Sequence, residues 1–184
     1  MNYNEIEGNL ISLALQESFD VIGHGCNCFC TQRNGIAPFM AKAFGTDTFE
    51  MESYIYKGNI NKLGTIDYKQ LVIKDGKVED WDYTGKQREL YVVNCYSQYN
   101  YSRVDKPLDY EALTLCMRKI NHQFKGKHIG LPLIGCGLAG GIWNKSKLTM
   151  HDQMILEKRF HKDVKTIIQE ELKDCDVTIV HFKN

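Results

Sequence analysis

Along almost the whole of this 184-residue chain, apolar runs of strand length alternate with segments of helical period, a pattern that few architectures accept. "FDVIGHG", "GTIDYKQLVI", "LYVVNCYSQ", "HIGLPLI" and "VTIVHF" are short, apolar and rich in β-branched residues, and read as strands. Between them, "GIAPFMAKAFG" puts Ile36, Met40, Ala43 and Phe44 on one helical face and stops at Gly45. "PLDYEALTLCMRKINHQFKG" repeats Leu113, Cys116, Met117, Ile120 and Phe124 at three- and four-residue spacing, with Pro107 before it and Gly126 beyond. The polar, Gly-punctuated "KDGKVEDWDYTGKQRE" reads as a hairpin or surface loop, and the residues from Asn144 to Asp174 are mostly good helix formers. Strands and helices that interleave in this way imply a mixed, largely parallel sheet with helices on both faces and right-handed crossovers. In such a sheet a ligand crevice lies at the strand carboxyl ends.

Charge and cysteine content narrow the function. The 23 basic and 23 acidic residues cancel, so no global field draws nucleic acid or an anionic membrane, and a partner has to be selected by a pocket. No apolar run approaches the roughly 20 residues of a membrane span, and the opening "MNYNEIEGNL" lacks the pattern of a signal peptide; a cytoplasmic protein is expected. At about 100–200 residues per domain, residues 1–184 read as one domain. Seven cysteines, an odd count in a reducing compartment, argue for packing, ligation or nucleophilic roles over a disulfide framework.

Two loops follow predicted strands at the edge where the crevice belongs. In "LIGCGLAGGIW", four glycines at 135, 137, 140 and 141 let the backbone approach a ligand and aim successive N–H groups at an anion; the first loop, His24 to Ala37, carries a second glycine turn, "NGIA". Neither matches G-x-x-x-x-G-K-[ST], and "GCGLAGG" lies too far along the chain for a dinucleotide fingerprint. His24 with Cys26, Cys28 and Cys30 suggests zinc, but alternate positions in extended backbone spread the sulfurs too widely. Small buried packing residues are the better account of these thiols, and no metal or cofactor is expected.

The combination of "GHGCNC" with "IGCGLAGG…W", together with "IEGNLI" and "VVNCYSQ", resembles the macrodomain family, three-layer α/β/α modules with a mixed, largely parallel central sheet that bind ADP-ribose derivatives. Within that family it is most similar to the ADP-ribose 1″-phosphate phosphatase-like and ADP-ribosyl hydrolase branch, forms of which occur in tailed phages and in yeast. The resemblance implies that Asn9 meets the adenine amino group and that Asn27 orients the distal ribose. It gives Gly35 and Ile36 backbone contacts to the diphosphate, and has Gly135, Cys136, Gly137, Leu138, Ala139, Gly140 and Gly141 wrap its other side. It places His181 or Phe182 against adenine, and it makes His24 the hydrolytic catalyst.

Several positions depart from the family pattern. "NCYSQYNYSR" holds no Lys nucleophile, and Ile142, before Trp143, stands where many phage-type relatives carry an Asp. Arg33 adds a fork suited to an extra phosphate or to solvent. The residues around 145–162 read as an insertion or helix extension. Two readings stay open: a hydrolase acting on ADP-ribose derivatives through His24, and a non-catalytic binder that sequesters an NAD-derived, cyclic ADP-ribose signal.

Overall fold

The structure, a computed structural model, describes residues 2–49, 58–79, 88–102, 104–159 and 162–183. Seven strands form one sheet: β1 (Tyr3–Gly8), β2 (Val21–Asn27), β3 (Ile66–Lys74), β4 (Lys77–Glu79), β5 (Arg88–Gln98), β6 (His128–Leu131) and β7 (Asp176–Phe182), in the order β1-β7-β6-β2-β5-β3-β4. The pairings from β1 across to β5 are parallel, and β3 joins β5, and β4 joins β3, antiparallel. β3 and β4 form a hairpin on Asp75 and Gly76, both at positive φ as a tight two-residue turn requires. The rest of the expected hairpin or surface loop, from Asp80 to Gln87, lies outside the described residues.

The apolar runs reflect burial on both faces of the sheet. On one face, α3 (Tyr110–Gln123) and α5 (Val164–Glu171) bury Leu113, Met117, Ile120, Ile167 and Ile168 against Val21, Val93, Leu131 and Ile179. On the other, α1 (Leu10–Leu15) and α2 (Ala37–Phe44) bury Leu10, Ala14, Met40 and Phe44 against Ile22, Val92 and Val180. The result is a three-layer α/β/α fold. Each helix has a local reason to begin where it does: Asn9, Asp109 and Asp163 accept first-turn N–H groups of α1, α3 and α5 through their side chains. α2 is the exception, with no side-chain cap, and it ends on Gly45 at φ +66.

The helical stretch after Asn144 is two helices rather than one. A 3₁₀ turn at Lys145–Lys147 leads into α4 (Met150–Arg159), and α5 then starts at an Asp163 cap that also accepts the Lys145 N–H at 2.7 Å. Phe160 and His161, between the two helices, lie outside the described residues. No helix among the described residues is long and apolar enough to cross a membrane.

Candidate functional site

A crevice of about 810 Å³ runs along the carboxyl ends of the parallel strands. Gly8 ends β1 in its wall, Val180 and Phe182 end β7, Gly25 and Asn27 end β2, Gln98 ends β5, and the loop from Pro132 to Ala139 follows β6. The N-terminal turns of α1 and α2 close the remaining sides.

Both glycine loops contribute backbone. Gly35 and Ile36 lead into the start of α2, which has no side-chain cap; Pro38 carries no N–H there, and Phe39 N–H donates to the Ile36 carbonyl at 3.1 Å. In the second loop, Gly141 N–H donates to the Gly135 carbonyl at 2.8 Å and Gly140 N–H to the Gly137 carbonyl at 3.0 Å, which folds the loop on itself. Among the described residues, the N–H groups of Gly137, Leu138 and Ala139 have no backbone acceptor. The glycines divide by role. A Cβ on Gly141 would lie 2.3 Å from Leu108 Cδ2, one on Gly140 would lie 2.6 Å from Lys106 Cγ, and one on Gly137 would meet nothing within 4 Å. Gly140 and Gly141 therefore allow the loop to pack, and Gly137 leaves open space inside the crevice.

Asn27 serves the first loop from within. Its Oδ1 accepts the N–H groups of Phe29 (3.0 Å) and Thr31 (3.3 Å), and its Nδ2 donates to the Thr31 carbonyl at 2.9 Å. Asn9 lines the crevice with its Oδ1 engaged by the N–H groups of Ile11 and Ser12, so the part of the amide left for a ligand is its Nδ2 donor. The contact with an adenine amino group, itself a donor, that the resemblance implies would fall on this Oδ1, which already accepts two N–H groups. Gln98 ends the central strand in the crevice wall and donates through Nε2 to the Asn100 carbonyl at 2.7 Å. Phe182, 71% exposed, and Phe39, 63% exposed, present aromatic surface to the crevice.

Cys136, Leu138 and Ala139 complete the expected contacts in the crevice lining, and seven expected site residues stand outside it. Of those seven, Gly140 and Gly141 brace the loop. Arg33 is exposed and does not reach the lining. Ile142 packs against the core beneath α3 and donates its N–H to Tyr110 Oη at 2.8 Å; the neighbouring Trp143 packs on the same core. His181 turns to Glu5 Oε2 at 2.8 Å and meets the Trp143 ring edge-on at 6.4 Å.

His24 departs furthest from expectation. Side chains alternate along β2, so the side of the strand that brings Gly25 and Asn27 to the crevice turns His24 and Cys26 the other way. The imidazole is fully buried, and Nε2 lies 2.7 Å from Asn94 Oδ1. Asn94 spends its Nδ2 donor on the Thr46 carbonyl at 2.9 Å, so Oδ1 is the acceptor and Nε2 carries the proton. Gln32 extends the network: Nε2 donates to the Thr46 carbonyl at 3.1 Å, and Oε1 accepts from Thr46 Oγ1 at 2.6 Å. Burial depresses the His24 pKa to about 4, against a smaller opposite effect of Asn94. His24 is thus joined through Asn94 and Thr46 to Gln32 of the first loop and to the end of α2, and it does not line the crevice.

The strand ends at Asn27, and Cys26 and Cys28 pack with Tyr96 while Cys30 rests against them. Burial pushes the Cys26 thiol well up, and the Cys28 thiol up to about 11. Among the described residues, no group of three or more His, Cys, Asp or Glu is placed to hold a metal ion.

Residues that the sequence reading passed over supply much of the lining: Leu10, Ile11 and Ser12 on α1, Phe39 and Lys42 on α2, and Tyr101 after β5. A signal existed for the first group, since Asn9 directly before an apolar run is a helix start.

No protein-family model matches the chain. An uncharacterized 17.5 kDa protein in the tk-vs intergenic region of Enterobacteria phage T4 is 27% identical over 143 residues, covering 76% of this chain and 81% of that one. The macrodomain of Thermus aquaticus DarG superposes with a TM-score of 0.57 at 16% identity, covering 99% of this chain and 98% of that one. Thermosipho africanus DarTG in complex with ADP-ribose superposes at 0.58 and 13% identity, over 98% of this chain and 42% of that one. At these identities the likeness shows the fold, which is that of a macrodomain.

Proposed function

We propose that this chain, a macrodomain by fold, binds ADP-ribose or a closely related nucleotide diphosphate in the crevice and holds it without cleaving it. One observation carries this reading. The described lining offers unengaged backbone N–H groups, three exposed aromatic side chains (Phe39, Tyr101 and Phe182) and a single cation, Lys42, and it contains no carboxylate and no imidazole. A dianionic diphosphate is met by donors and repelled by nothing, and an aromatic face suits a nucleobase.

The same lining is poor in catalysts. A general base works best with a pKa near the operating pH, yet burial pushes the Cys136 thiol up to about 12 and keeps it protonated at neutrality. Ile142, which has no proton chemistry, is partly buried against the core and stands outside the lining. Solved DarTG with bound ADP-ribose supports the choice of ligand.

Titration calorimetry with ADP-ribose, ADP and AMP tests the proposal. One-to-one binding is expected, with ADP-ribose at least about tenfold tighter than AMP because AMP lacks the diphosphate. Incubation with ADP-ribose 1″-phosphate and with an ADP-ribosylated protein is expected to release neither phosphate nor ADP-ribose. Absence of ADP-ribose binding would sink the ligand assignment, and steady turnover would restore the hydrolase reading.

A further inference from the structure

Aromatic side chains line the crevice on both sides of the glycine loops. Phe182 ends β7, and Tyr101, 55% exposed, lines the crevice just beyond the end of β5. β7 and β5 stand three strand spacings apart in the sheet, roughly 14 Å at about 4.8 Å each. The strands between them are β6 and β2, which the second and the first glycine loop follow. The backbone suited to a diphosphate thus lies between two aromatic positions.

Tyr101 is held in place. Phe29, from the first loop, meets the Tyr101 ring edge-on at 5.6 Å and the Tyr99 ring at 5.5 Å. Phe29 is itself wedged, since a Cβ at Gly58 would lie 2.7 Å from its Cζ, and its N–H donates to Asn27 Oδ1 at 3.0 Å. The backbone on either side of Tyr101 is tied down as well. Gln98 Nε2 donates to the Asn100 carbonyl at 2.7 Å, Ser102 N–H donates to Asn100 Oδ1 at 2.9 Å, and Gln98 pairs with Leu108 to close the loop. An exposed ring fixed in this way loses little freedom when a flat partner stacks on it. ADP-ribose has one base, which occupies one of the two aromatic positions and leaves the other to its terminal ribose.

We infer that the crevice takes a dinucleoside diphosphate, in which a second nucleobase on the distal ribose stacks on Tyr101 while the first lies against Phe182 and the diphosphate meets the glycine loops. The inference rests on the diphosphate-binding reading above and extends that ligand by one base. Stacking suits this position because every nucleobase has a π-face and neither Tyr101 nor Phe29 brings a charge.

Calorimetry with ADP-ribose and with diadenosine diphosphate tests this on wild type, Tyr101→Ala and Tyr101→Phe, with thermal melts to show that the variants are folded. Wild type is expected to bind diadenosine diphosphate about tenfold tighter than ADP-ribose, the worth of one stacked base. The readout is this ratio within each protein: Tyr101→Phe, which keeps the ring, is expected to retain it, and Tyr101→Ala to bring it to about one. Wild type that binds diadenosine diphosphate no tighter than ADP-ribose, or a preference that survives in Tyr101→Ala, overturns the inference and leaves the diphosphate reading standing. A preference lost in Tyr101→Phe as well assigns the contact to the phenol hydroxyl and overturns stacking. Wild type that binds neither ligand removes the diphosphate reading, and this inference with it.

Discussion

Gly137→Val is expected to weaken ADP-ribose binding by more than about 100-fold, roughly 2.8 kcal/mol, in a protein whose melting temperature stays within a few degrees of wild type. The argument rests on where a side chain at this position would go. A Cβ at Gly137 meets no atom within 4 Å, and the backbone there is not in the positive-φ region, so a β-branched residue fits the loop without strain. It does not fit a loaded crevice. Gly137 lines the space where the N–H groups of Gly137, Leu138 and Ala139 are open to an anion, and an isopropyl group would hold a diphosphate away from them. Gly141→Ala is the contrasting variant. Its Cβ would come within 2.3 Å of Leu108 Cδ2 and 2.8 Å of the Gly135 carbonyl, so loss of folding is expected. Calorimetry and a thermal melt on both variants separate the cases. Wild-type affinity in a folded Gly137→Val protein would remove the second loop from the ligand site.

The distinction between these two glycines illustrates how far the sequence can be read. That "GCGLAGG" forms a close-approach loop after a strand follows from composition and position, and its place at the crevice agrees. Which glycines are open and which are packed depends on Leu108 and Lys106, brought in from the segment before α3. Nothing local to the loop encodes that. A similar limit explains His24. "DVIGHG" reads as a buried strand from its β-branched residues, and β2 is one, but alternation says only that His24 and Gly25 face opposite sides. Which side faces the ligand is set by the strands and loops on either flank. The skip over Ser97 in the pairing of β2 with β5 is hidden for the same reason, because a register shift belongs to a pair of strands and not to either alone. Helix-facing residues were more legible: Met40 and Phe44 are buried as their spacing requires, and it follows that Phe39 and Lys42 are left for the crevice.

The second large effect concerns stability and its dependence on pH. His24 is neutral and fully buried in the folded protein, with its pKa held at about 4 by loss of solvation, whereas in the unfolded chain it titrates near the ordinary histidine value of about 6.5. Between those two values the unfolded state binds a proton that the folded state refuses. Stability from this group is therefore complete above about pH 6.5 and falls as the pH drops, with the loss reaching about 3 kcal/mol near pH 4. The nearby Cys26 thiol gives no relief. It lies 3.7 Å from Nε2, and its raised pKa keeps it uncharged, so it supplies no anion to hold an imidazolium. Urea unfolding at intervals from pH 7.5 to pH 4.5 is expected to show the decline in wild type and a flatter profile in His24→Gln, whose amide can still donate to Asn94 Oδ1 and does not titrate. His24→Ala is expected to be less stable than wild type at every pH, because it leaves Asn94 Oδ1 buried without its donor and loosens the network that runs through Thr46 to Gln32. Both variants, where folded, are expected to bind ADP-ribose within about threefold of wild type, since the imidazole does not line the crevice. A wild type that turns over substrate, paired with a His24→Gln protein of unchanged stability and no turnover, would return the histidine to catalysis and contradict the buried, bracing role assigned to it.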